Sequence, residues 1–162
     1  MRGFLYLGLI KTNSDIYVLE YNTRLGDPEA EAFLPLIKNN MLEIFDKLIN
    51  KKIKNLNLSF NSKKSVAVVI ASKGYPISYE KDILITGINR LNNPDLLVFH
   101  NNTKLKNNKI LTDGGRVITL VGLSNSINSA KDIVYNNINK IYFDGMFYRK
   151  DIGEKIWKFM KA

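Results

Sequence analysis

The chain contains no cysteine and a single histidine, His100. The first absence excludes disulfides, thiolate nucleophiles and cysteine-ligated zinc, and the second excludes metal sites built from several imidazoles. Prolines number only four, so each one carries positional information. Long apolar runs are missing too: none approaches the roughly 20 residues that a membrane-spanning helix needs. Met1-Arg2 and "GFLYLGLI" imitate the basic and apolar parts of a signal peptide. Lys11 ends that run, however, and no A-x-A-like cleavage site follows. A cytoplasmic chain with no membrane partner is expected.

What is present is balanced. Hydrophobic residues make up 45% and charged residues 24% of 162 residues, enough for one domain with a real core or for two small lobes. The net charge of +9 and a pI near 9.6 invite a nucleic-acid reading. The excess is carried by scattered lysines, among them Lys38, Lys51, Lys63, Lys104 and Lys109. A site built for bidentate base or phosphate contacts would favour arginine. Asparagine and isoleucine are also abundant, as codons biased towards A and T produce, so the expectation is a solvated basic surface with no nucleic-acid partner.

Along the chain, "GFLYLGLI" and "DIYVLEYN" flank the turn-forming "KTNS" and read as a β-hairpin. A period of two puts Ile16, Val18, Glu20 and Asn22 on one face and Tyr17, Leu19 and Tyr21 on the other. Asp27-Pro28 reads as a helix start, with Asp27 as N-cap, Pro28 at the first helical position and Glu29 near the positive end of the dipole. Pro35 interrupts or restarts that helix. In "NNMLEIFDKLINKKI", Leu42, Phe45, Leu48 and Ile49 form a core stripe, and Asn40 and Glu43 are spaced as a capping box. The basic connector "KKIKNLNLSFNSKK", with a short strand, marks a lobe boundary. Beyond it the strands "SVAVVIAS", "DILITGI" and "LLVFH" follow, then "KILTDGGRVITLVGL" as two strands around a tight Asp113-Gly114-Gly115 turn. A helix follows with Ile127, Ala130, Val134 and Ile138 inward, and "EKIWKFMKA" is a basic tail.

Several residues can carry chemistry. Glu20 and Asn22 offer a carboxylate and an amide oxygen, both hard ligands suited to Mg²⁺ held against nucleotide phosphates, although E-x-N also suits plain surface polarity. Arg24 fits either an anion clamp or a structural ion pair. Gly114, Gly115 and Arg116 fit a substrate phosphate contact, or a simple turn beside an ion pair. His100, the Tyr75-Pro76 turn, Tyr148 and Arg149 read as structural or packing features.

The blocks "VLEYNTRLGDPEAE", "VVIASKGYPISYEK", "VFHNNTKL", "TDGGRV" and "FDGMFYRKDIG" occur in one order and together resemble the C-terminal portion of phosphoribosylamine–glycine ligases, which are ATP-grasp enzymes of purine biosynthesis. The resemblance covers nearly the whole chain. It implies an α+β fold: a remnant of the ATP-grasp domain at 1–60, a β-hairpin plus helices, followed by a β-rich lobe with one packed helix at 61–162. It implies ATP-dependent joining of glycine to 5-phosphoribosylamine through glycyl phosphate. Mg²⁺ or Mn²⁺ would be the cofactor, on Glu20 and Asn22. Arg24 would then be catalytic, and Asp27, Gly115 and Arg116 would bind substrate. The family's nucleotide-gripping segments precede the point where this sequence begins, so an N-terminal half of the same ligase is the implied partner. An inactive truncated product and a basic nucleic-acid-binding module are the alternatives. "HNNT" stands where the family commonly has "HAGT", and Leu25 where it usually has an aromatic residue.

Overall fold

The computed structural model describes residues 3–154, so the basic tail beyond Glu154 lies outside the described residues. The chain divides into two compact units, Met1–Asn61 and Ser62–Ala162. The α+β class expected from the sequence holds, with the strands concentrated in the second unit.

In the first unit, β1 (Tyr6–Lys11) and β2 (Ile16–Asn22) form the expected antiparallel hairpin. Its register is not simple. Leu9 faces Val18 but the next residue, Gly8, faces Glu20, so Leu19 is an extra, bulged residue. Opposed residues share a face and neighbours alternate, so Glu20 and Asn22 lie on the face of Gly8 and Tyr6, opposite to Val18. The predicted single face from Ile16 to Asn22 is therefore corrected: one inserted residue reverses the alternation part-way along the strand.

The helix after the hairpin, α1 (Glu29–Phe33), starts one residue later than expected. Pro28 stands at the N-cap with no side-chain cap, and the first turn is closed by Ala30 N–H donating to the Gly26 carbonyl at 2.8 Å. A 3₁₀ turn at Leu34–Leu36 follows, with Pro35 in it, as an interruption at that proline requires. In α2 (Met41–Ile49) the Asn40 side chain caps Leu42 N–H at 2.9 Å, whereas Glu43 turns away to Lys47 at 2.7 Å instead of completing the box. The predicted core stripe also needs correction. Ile44 is 3% exposed, while Leu42 and Ile49 are 74% and 66% exposed. Both stripes have helical spacing, so sequence pattern alone does not say which one faces inward. The connector forms a 3₁₀ turn at Ile53–Asn55 and a single bridge, Ile37 to Phe60, rather than a strand.

The second unit is built on a four-stranded antiparallel sheet in the order β4-β7-β3-β8, from β3 (Lys64–Ser72), β4 (Leu96–His100), β7 (Arg116–Ser124) and β8 (Met146–Tyr148). The helix α3 (Ile127–Ile138) is capped by Ser126 and packs on this sheet, burying Ala130, Val134 and Ile138 against Val68, Leu120 and Phe143. Ile127 packs at the edge of the same core. The "DILITGI" segment joins through two isolated bridges, Leu84 to Leu111 and Thr86 to Tyr142, rather than as a strand. A separate ribbon pairs β5 (Thr103–Lys106) with β6 (Lys109–Thr112).

That pairing corrects the predicted hairpin around Asp113-Gly114-Gly115. β6 pairs with β5, whereas β7 pairs with β3 and β4, so the segment is a crossing between two sheets. Neither Gly114 nor Gly115 has a positive φ.

The inward stripe of α2 is directly testable. Ile44→Ala is expected to destabilise the first unit by about 2–4 kcal/mol through the cavity left behind, and Leu42→Ala by less than about 0.5 kcal/mol. Urea unfolding of both variants checks the assignment, and equal losses would refute it.

Candidate active site

On the hairpin, the Asn22 side-chain amide donates to Glu20 Oε1 at 2.9 Å, so the two groups lie side by side on one exposed strand face. Beneath them is Gly8, buried although most of the hairpin is exposed. A Cβ there would stand 2.8 Å from Glu20 Cγ, so only glycine lets the Glu20 side chain lie across the strand. A carboxylate and an amide oxygen, both hard and both accessible, form a donor set that fits Mg²⁺ or Mn²⁺. Among the described residues no cluster of three or more His, Cys, Asp or Glu side chains competes with them as a metal site.

Arg24 lies past the end of β2, where strand alternation no longer fixes its direction. Its guanidinium donates to the Leu25 carbonyl at 2.8 Å. Among the described residues it makes no ion pair. Asp27 precedes α1 by two residues, and Pro28 rather than Asp27 stands at its N-cap position.

Two residues not singled out as functional in the sequence join this group. Tyr6 stands opposite Asn22 in the register, and its phenol donates to Glu29 Oε1 at 3.0 Å. That hydrogen bond and the Glu29 charge hold the phenol above its usual pKa, with a smaller contribution from Glu20. Gly26 is the second buried glycine here, and a Cβ on it would overlap the Glu29 carboxylate. Register was the missing signal, because nothing in the order of residues says that Tyr6 faces Asn22.

In the second unit, Gly115 and Arg116 hold the Tyr75 loop. A Cβ on Gly115 would collide with the Tyr75 ring, and Arg116 Nε donates to the Tyr75 hydroxyl at 2.8 Å. The guanidinium carbon stands 5.7 Å from that ring's centroid. Ser72 fixes the same segment: its N–H donates to the Gly115 carbonyl at 2.8 Å and its hydroxyl to Gly114 at 3.1 Å. Asn102, from the unusual "HNNT", donates its side-chain amide to the Arg116 carbonyl at 2.9 Å. His100 Nδ1 and Thr103 Oγ1 are 2.8 Å apart, the local contact of a structural histidine. Tyr148 packs on Tyr135 and donates to Asn139 at 2.9 Å, while Arg149 forms a two-pronged pair with Asp151.

A family model described as phosphoribosylglycinamide synthetase, C domain, matches residues 65–155. The chain belongs to the phosphoribosylglycinamide synthetase family. Among its relatives, the phosphoribosylamine–glycine ligase of Caldanaerobacter subterraneus subsp. tengcongensis is 46% identical over 93% of this chain and 36% of its own length. The trifunctional purine biosynthetic protein adenosine-3 of Gallus gallus is 39% identical over 98% of this chain and 16% of its own length. The crystal structure of the Thermotoga maritima phosphoribosylamine–glycine ligase matches with a TM-score of 0.73 and 35% identity, over 94% of this chain and 37% of that one. The chain thus spans little more than a third of the single-function relatives it matches. The synthetase C domain covers most of the second unit, and the similarity to the whole relatives extends over the Glu20–Asn22 hairpin.

Two outcomes test the second unit. Gly115→Ala is expected to expel the Tyr75 ring and expose the loop to limited proteolysis; an unchanged cleavage pattern would contradict the seating. Lys104 bonds Asp82 at 2.8 Å and Asp113 at 3.3 Å. Its hydrogen bond lowers the Asp82 pKa below 3.8, and Asp82 raises that of Lys104 above 10.5. The Asp82 contribution is therefore present above its unfolded value and lost as pH falls through the lower folded one; the Lys104 contribution is lost as pH rises past 10.5. Lys104→Met is expected to flatten both limbs in urea midpoints measured against pH.

Proposed function

We propose that this chain forms the C-terminal part of a phosphoribosylamine–glycine ligase, working with an N-terminal half of the same enzyme in cytoplasmic purine biosynthesis. The reaction joins glycine to 5-phosphoribosylamine at the expense of ATP. A carboxylate is a poor acylating agent, so phosphorylation of glycine by ATP supplies the leaving group, and the amine of phosphoribosylamine then captures the acyl carbon.

The observation that carries this reading is the Asn22–Glu20 contact of 2.9 Å on one open strand face, in a chain of this family. Glu20 and Asn22 are the proposed Mg²⁺ or Mn²⁺ ligands; a divalent cation there would tether the nucleotide phosphates and offset their charge. Arg24, with no carboxylate partner among the described residues, is the proposed clamp on anionic substrate or acyl phosphate. Asp27, close behind it in the chain, is the proposed glycine-side contact. Gly115 and Arg116 are proposed substrate contacts from the segment that seats Tyr75.

The N-terminal partner is supported by surface chemistry. Leu7, Leu9, Ile16, Val18 and Tyr21 are exposed on the hairpin, and Leu42 and Ile49 on α2. A two-stranded hairpin is marginal by itself, and so large an apolar surface normally has a cover. The proposal stands apart from the nucleic-acid alternative, since several surface lysines are paired with carboxylates, among them Lys47, Lys63, Lys81 and Lys104.

The test is reconstitution. Mixing the chain with the N-terminal half of a relative should give glycine-dependent ADP release, and Glu20→Ala should lower it at least about 100-fold by removing a cation ligand. Full activity in Glu20→Ala would end the metal assignment, and no release from the wild-type mixture would end the split-ligase reading.

A further inference from the structure

We infer that Tyr6 and Glu29 are positioning residues for the Glu20–Asn22 pair, setting its geometry and its affinity for a divalent cation. The inference rests on the reading of that pair as a cation site. Three observations converge on it. Tyr6 is the register partner of Asn22, so the two side chains leave the sheet on the same face. The Tyr6 phenol donates to Glu29 Oε1 at 3.0 Å, tying the first turn of α1 to the first strand of the hairpin. Both glycines at this place, Gly8 and Gly26, are buried beneath carboxylate side chains, Gly8 under Glu20 and Gly26 under Glu29, and a Cβ on Gly26 would also stand 3.2 Å from the Tyr6 ring.

The physical logic is that of an outer shell. A lone carboxylate and amide on a hairpin have freedom to turn away from each other, and ordering them on cation binding costs entropy. Tyr6 removes part of that freedom by bracing the strand opposite Asn22. Glu29 contributes in two ways: it anchors the phenol, and its negative charge, held at the Tyr6 hydroxyl, favours a cation over an empty site. The like charges of Glu20 and Glu29 are tolerated because both side chains are exposed and because the phenol and the Asn22 amide each donate to one of them.

These two contributions separate by substitution. Glu29→Gln keeps an oxygen that accepts from Tyr6 and removes the charge; Tyr6→Phe keeps the charge and removes the bond; Glu29→Asp keeps the charge on a shorter arm. The measurement is Mn²⁺ titration of the full 162-residue chain, read as paramagnetic broadening of the Glu20 and Asn22 backbone amide signals in the NMR spectrum. Wild type should show localised broadening that Glu20→Ala abolishes. Glu29→Gln should raise the Mn²⁺ concentration for half-broadening roughly 10-fold, as loss of an outer-shell partner does, with Tyr6→Phe raising it several-fold and Glu29→Asp less than Glu29→Gln. The cross-strand contact between Tyr6 and Asn22 reports the fold of each variant, and where Glu29→Gln loses it, Tyr6→Phe and Glu29→Asp decide. Wild-type affinity in the folded variants, with binding lost only in Glu20→Ala, would overturn the positioning role and leave the cation site standing. Absence of localised broadening in the wild type would overturn both.

Discussion

The bulge at Leu19 sets the direction in which Glu20 and Asn22 leave the hairpin of the first unit. With one residue inserted between Val18 and Glu20, the polar half of β2 is turned onto the face that carries Gly8 and Tyr6, away from Ile16 and Val18. Bulges commonly re-aim side chains near functional sites, and here the effect is specific. The Glu20–Asn22 alternation survives because both residues follow the insertion. The Glu20 side chain then needs a cross-strand neighbour with no side chain, and Gly8 supplies it.

A related constraint operates in the second unit, through space rather than register. The crossing from β6 to β7 has to pass beneath the Tyr75 ring, and a glycine at position 115 is what permits the approach. Ser72 and Asn102 then bind the crossing through its carbonyls, and Arg116 reaches the Tyr75 hydroxyl. The residues of this segment do structural work first. Met146–Tyr148 likewise extends the sheet by pairing with Ile70–Ser72. Any substrate role of Gly115 and Arg116 is built on a segment already held in place by this network.

The two units differ in how they are stabilised. The second has a fully buried core in which Ile70, Ile118, Leu120, Val134 and Phe143 are shielded from water. The first buries Ile44 but leaves a long apolar hairpin and one helical stripe in contact with solvent. That contrast explains why the pattern in α2 misled. A helix with apolar residues on two sides offers two valid amphipathic readings, and only the packed neighbours choose between them.

The sequence alone determined the hairpin, the sheet-forming strands around "SVAVVIAS" and "RVITLVGL", the packed helix with Ala130, Val134 and Ile138 inward, and the family, because each rests on local periodicity or on residues in a fixed order. It also nominated Glu20 and Asn22, since the two positions are close along one strand. Only the tertiary structure decided which face they occupy, that Tyr6 faces Asn22 and bonds Glu29, that Pro28 takes the N-cap position, and that Asp113-Gly114-Gly115 links two sheets instead of turning a hairpin. The reason is physical: those outcomes depend on register and on which strands pair across tens of residues, and a one-residue bulge or a change of pairing partner leaves almost no trace in composition or spacing.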